Sequence, residues 1–149
     1  MPREDSMPPQ PRVLMVEDHP DIAELYQLKL QLEGYRVAVA SNGVAGLALT
    51  RSLKPDVLLL DIHVPQLDGL QLLAALRDDE TTRDQLVVVF TEDDNPQLIQ
   101  EAERLQAAAY LLKARLLPRL LSDTIGEVLR NNRSGLVAEP NHRDAEQAS

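Results

Sequence analysis

The chain has 149 residues, enough for one compact domain with some excess. Fifteen basic residues against 24 acidic ones give a net charge of −9, and the basic residues are scattered, which argues against direct nucleic-acid binding. With no cysteine, disulfide frameworks, thiolate chemistry and zinc-thiolate sites are excluded. The opening "MPREDSMPPQP" is acidic, proline-rich and lacks an apolar stretch, so it does not read as a signal peptide. No run approaches the roughly 20 apolar residues of a membrane helix, and the expectation is a cytoplasmic protein without a membrane contact.

In chain order, residues 1–11 read as a disordered tail, and "RVLMVE" as a first strand. "HPDIAELYQLKLQLEGY" follows as an amphipathic helix, with apolar Ile22, Leu25, Leu28 and Leu32 at helical spacing and Gly34 as its stop. The alternation then repeats: "RVAVA" strand, "GVAGLALTRSL" helix, "DVLLL" strand, "GLQLLAALRD" helix, "LVVVF" strand, "PQLIQEAERLQ" helix, "AAYLL" strand, "LPRLLSDTIGEVLRN" helix. Near-continuous apolar strands suit burial on both faces, so the five strand-helix units predict an α/β domain with a parallel sheet covered by helices. From about residue 134 the polar, aperiodic "SGLVAEPNHRDAEQAS" reads as a second disordered tail, leaving one domain over residues 12–133.

In an open parallel sheet, ligands bind beyond the carboxyl ends of the strands. Here the first strand ends in Glu17-Asp18, the third in Asp61, the fourth in Thr91 and the fifth in Lys113. Each alone has an ordinary structural reading as a turn acid, helix cap or surface lysine. Four of five strands delivering a chemically capable residue to one edge is harder to explain that way. Three carboxylates about 4 to 6 Å apart repel by about 3 to 4 kcal/mol per pair at an effective dielectric near 20, so a positive group must sit among them. Oxygen ligands without a cysteine or histidine cluster suit a hard divalent cation, and magnesium fits because it keeps waters and needs few protein ligands. A carboxylate nucleophile, magnesium, a lysine and a hydroxyl make a phosphoryl-transfer site.

At these residues the chain resembles the receiver domain of bacterial two-component response regulators, of the stand-alone, chemotaxis-regulator-like kind. The likeness runs from about Arg12 to Arg130. "VED" matches the family's acidic pair, with Glu in the first place, and "LLLDIHVPQLDG" matches its D-x-x-M-P-x-x-D-G loop, with Val64 in the methionine place. "FTE" carries the hydroxyl, and "YLLKA" the lysine preceded by an aromatic. The resemblance implies a flavodoxin-like, doubly wound fold with strand order 2-1-3-4-5. It implies Asp61 as phosphoacceptor, and magnesium held by Asp18, Asp61 and the His63 backbone carbonyl with help from Glu17. Lys113 would grip a phosphoryl oxygen, Thr91 would close on the phosphoryl group, and Tyr110 would swing inward after it.

The implied partners are a sensor histidine kinase or phosphotransfer protein and a downstream protein, the chain itself being a monomer or weak dimer. Such a module is not an enzyme beyond its own phosphorylation and dephosphorylation. Two departures from the family stand out: Glu92 where a small residue is usual after the threonine, and Ala114 where proline usually follows the lysine. Two other readings compete. A receiver-like docking module would be unphosphorylated, and a small aspartate-nucleophile phosphohydrolase would carry a second acid where this chain has His63. The side chain of His63 is expected to face solvent, and His19 to be a plain loop residue.

Overall fold

A computed structural model describes residues 10–113 and 118–134. The order is β1 (Arg12–Val16), α1 (Pro20–Leu32), β2 (Arg36–Ala40), α2 (Gly43–Leu53), β3 (Val57–Leu60), α3 (Gly69–Asp78), β4 (Val87–Thr91), α4 (Pro96–Arg104), β5 (Ala109–Leu112) and α5 (Pro118–Ser134). All five strands pair in parallel in the order β2-β1-β3-β4-β5, as expected.

The apolar runs split cleanly between the two faces of the sheet. Val13, Met15, Val57, Leu59, Val88 and Phe90 point to one side, where they meet residues of α1 and α5 such as Leu30, Leu121 and Ile125. Their chain neighbours Leu14, Val16, Leu58, Leu60, Val87 and Val89 point to the other, against Leu72, Leu73 and Leu76 of α3 and Ala102 of α4. The two-residue period of a strand thus feeds two cores at once, which is why the alternation of a half-exposed sheet is missing from β3 and β4.

Helix starts follow local chemistry. Asn42 accepts from the Ala45 N–H at 2.8 Å, and Asn95 from the Gln97 N–H at 2.9 Å with Pro96 next. Asp68, the second acid of the long loop after β3, forms a capping box with Gln71. Gly34 closes α1 at φ +98°, a conformation costly for other residues.

The apolar face expected for α1 holds at Ile22 and is overturned at the three leucines. Leu25, Leu28 and Leu32 are 52, 55 and 75 % exposed, while Ala23, Tyr26 and Leu30 are buried and Ile22 packs beside them. Both sets keep a three-to-four-residue spacing, so periodicity alone does not choose between stripes about 100° apart on the helix. Tyr26 decides it: its ring packs edge-on against Phe90, with centroids 4.9 Å apart, and fills space no leucine on the other stripe reaches.

Candidate functional site

The sheet's hydrogen-bond ladder continues one residue past two strands and fixes the acids. The Glu17 N–H donates to Ala40 O at 2.9 Å, and the Asp61 N–H to Val16 O at 3.1 Å. Both residues are buried, at 1 and 4 % exposure, and Thr91 at the end of β4 is fully buried. The next loop packs tightly beneath: a Cβ at Gly69 would lie 2.4 Å from the Asp61 carbonyl oxygen, so glycine is required there.

Lys113 joins the acids. Its ammonium donates to Glu17 Oε1 at 2.5 Å and Asp61 Oδ2 at 2.8 Å, and sits 5.0 Å from the centre of the Phe90 ring. Burial alone would lower the lysine pKa, but the bonds to Asp61 and Glu17 outweigh it and hold the ammonium above its ordinary value. The charge is therefore kept by its partners. The other Asp61 oxygen, Oδ1, accepts from the His63 backbone N–H at 3.2 Å.

Asp18 stands apart. Its Oδ1 is buried without a hydrogen-bond partner. The His19 Nδ1 lies 3.3 Å away, within ion-pair range but outside hydrogen-bond geometry. His19 also places Nδ1 3.1 Å from Glu17 Oε2, so the ring is drawn to both acids. Its pKa is raised, first by the bond to Glu17 and then by the charge of Asp18. Ligand atoms of Glu17, Asp18 and His19 all lie within 4.8 Å of one another. Glu17 and Asp61 share the one Lys113 ammonium, while the orphaned Asp18 oxygen lies beside Glu17 and His19, and carboxylate oxygens so placed suit a hard divalent cation.

The hydroxyl side of the site centres on a residue the sequence reading passed over. The Asp93 N–H donates to Thr91 Oγ1 at 3.4 Å, its carbonyl accepts from the Tyr110 hydroxyl at 2.6 Å, and its Oδ2 lies 2.7 Å from His63 Nε2. Its Oδ1 accepts from the Asn95 N–H at 3.0 Å. The bond from His63, then that from Asn95, holds the Asp93 carboxyl below its ordinary pKa. Burial, and after it the charges of Asp93, Asp61 and Asp94, pushes the Tyr110 phenol up to about 12.

His63 therefore differs from expectation in part: its side chain is 61 % exposed yet bonded across to the β4–α4 loop. Aspartates are abundant in this chain, and the run "EDDN" looks like helix-start chemistry, which hid Asp93. Glu92 is exposed. The Lys113–Ala114 peptide bond lies outside the described residues, among which no cis peptide bond occurs.

Comparison with known proteins identifies the family. The chain is 40 % identical over 105 residues to Protein PilH of Pseudomonas aeruginosa, covering 68 % of this chain and 84 % of that protein. It is 42 % identical over 129 residues to the Positive alginate biosynthesis regulatory protein of the same organism, covering 85 % of this chain and 50 % of that one. Across three of its curated relatives the chain spans 34 to 58 % of their length. Among solved structures, a CheY-like response regulator receiver domain protein of Methanospirillum hungatei JF-1 superposes with a TM-score of 0.79 at 25 % identity, over 85 % of this chain and 98 % of that one. Residues 13–124 match the response regulator receiver domain, and the chain belongs to that family of two-component signalling proteins.

Proposed function

We propose that Asp61 accepts a phosphoryl group from the phosphohistidine of a sensor histidine kinase or phosphotransfer protein, and that the phosphorylated chain signals through protein-protein contacts. The observation that carries this reading is the Asp61 carboxylate at the end of a central strand, with one oxygen on the Lys113 ammonium and the other on a backbone N–H. A carboxylate oxygen attacks phosphorus, the bond from phosphorus to the donor imidazole nitrogen breaks, and the electron pair leaves with that nitrogen. The product is an acyl phosphate. Lys113, freed from one carboxylate oxygen, neutralises a phosphoryl oxygen, and the Thr91 hydroxyl turns from Asp93 toward another.

Magnesium held by Glu17, Asp18, Asp61 and the His63 backbone carbonyl would supply neutralisation of the phosphoryl charge. Tyr110 serves the switch, being bonded to the loop that follows Thr91. The acting unit is taken to be residues 12–133. No described helix is long and apolar enough to cross a membrane. Because the relatives extend beyond the matched region, a stand-alone role for this chain belongs to the proposal as well.

The test is labelling by a small acyl phosphate in the presence of magnesium, followed by intact-mass measurement. The parent gains one phosphoryl group. Asp61→Asn gains none, because the amide does not attack phosphorus. Equal labelling of that variant would move the acceptor elsewhere.

A further inference from the structure

The Asp61 and Thr91 side chains that a phosphoryl group must reach are both almost fully buried. Two loops flank them, residues 61–68 after β3 and residues 92–95 after β4. Among the described residues, the side-chain bond that spans these loops is His63 Nε2 to Asp93 Oδ2, at 2.7 Å. Asp93 spends every remaining polar atom on the same neighbourhood: its N–H on Thr91, its carbonyl on Tyr110, its second carboxylate oxygen on Asn95. A residue with four bonds to four partners transmits a displacement of any one of them to the rest.

We propose that the His63–Asp93 bridge is a strap that positions Tyr110 before phosphorylation and restrains access to Asp61. Resting on the phosphoacceptor reading only for the second of these effects, the strap gives His63 and Asp93 positioning roles. His63 anchors on the acceptor side through its own N–H, which donates to Asp61 Oδ1. Its ring then reaches the opposite loop, whose carbonyl holds the Tyr110 hydroxyl. Movement of Thr91 toward a phosphoryl group breaks its contact with the Asp93 N–H and pulls on the strap. The same bridge thus links acceptor occupancy to the tyrosine. The bridge is partly exposed, with side-chain exposures of 61 and 30 %, so its strength is that of a screened surface pair and yields readily to a donor.

The experiment uses the full chain with His63→Ala and His63→Gln, the latter keeping a side-chain N–H donor of similar reach. The first readout needs no phosphodonor: the ring signals of Tyr110 in NMR spectra, assigned by their loss in Tyr110→Phe. In His63→Ala they should shift and broaden as the ring samples several positions, and in His63→Gln they should return toward those of the parent. The second readout is the initial rate of labelling by a small acyl phosphate, expected to rise about two- to fivefold in His63→Ala, the range that loss of one screened pair allows. Tyr110 signals unchanged in His63→Ala, or changed equally in both variants, would overturn the strap. A labelling rate equal to or below the parent's would overturn its restraint on access. A parent that takes no label while its Tyr110 signals respond to His63→Ala would overturn the phosphoacceptor reading instead and leave the link to the tyrosine standing.

Discussion

Tyr110 shows how one side chain can report on the site. Its hydroxyl donates to the Asp93 carbonyl at 2.6 Å, and burial together with the nearby aspartates raises its pKa from 10.0 to about 12. A phenol that holds its proton more tightly in the folded chain contributes stability that is complete below the unfolded value and lost as pH rises through the folded one. Between about pH 10 and 12 the parent should therefore lose stability more steeply than Tyr110→Phe, which has no proton to release there. Tyr26 is raised too, mainly by burial, and its share of the decline is common to both proteins. Urea midpoints measured across that range would show the difference. At neutral pH the ordering reverses, since Tyr110→Phe forfeits a hydrogen bond worth about 1 kcal/mol. Parallel curves at all pH values would mean that the hydroxyl is solvated.

At the scale of elements, Arg77 at the end of α3 clamps parts of the chain distant in sequence. Its guanidinium donates to the carbonyls of Leu105 and Gln106 after α4, at 2.8 and 3.2 Å, and to those of Arg83 and Gln85 before β4, at 2.8 and 2.9 Å. Four carbonyls that close two loops converge on one cation, and the fork of Arg fits them as no lysine would. Burial lowers its pKa, yet a guanidinium remains charged throughout the working range. Arg77→Ala should cost about 2 to 3 kcal/mol in urea unfolding, because the half-buried carbonyls lose charge-assisted bonds. Arg77→Lys should recover only part of that.

Nothing in "ALRDD" distinguishes Arg77 from an exposed helical arginine, since its acceptors are backbone groups brought in by tertiary structure. The same limit applies to the strap, whose two halves lie in separate loops, and to α1, where two apolar stripes of equal spacing compete until Phe90 selects Tyr26. What was legible rests on short-range physics: doubly buried strands read as apolar runs, and chemically capable residues close four of the five strands.

For the whole molecule, the site is a place where charge works against folding. Glu17, Asp18 and Asp61 converge on the strand ends of a sheet whose two cores otherwise exclude charge, and Lys113 compensates only Glu17 and Asp61 directly. Asp18 keeps a buried oxygen without a hydrogen bond. Functional sites commonly cost stability in this way. Asp18→Asn removes one of the mutually repelling charges while keeping the shape of the side chain. In buffer stripped of divalent cations it should therefore be more stable than the parent by about 1 kcal/mol, after allowance for solvent around a partly exposed group and for the nearby His19. Magnesium should reverse the order. A ligand that binds only the folded chain adds RT ln(1 + [L]/Kd), about 1.4 kcal/mol at ten times Kd, and the parent gains this in full while the variant, lacking a ligand charge, gains little. The measurement is a pair of urea melts for each protein, with a chelator and with excess magnesium chloride. A variant less stable than the parent in chelator would show that Asp18 is held by favourable contacts. An equal magnesium gain in both proteins would show that the cation is bound without it.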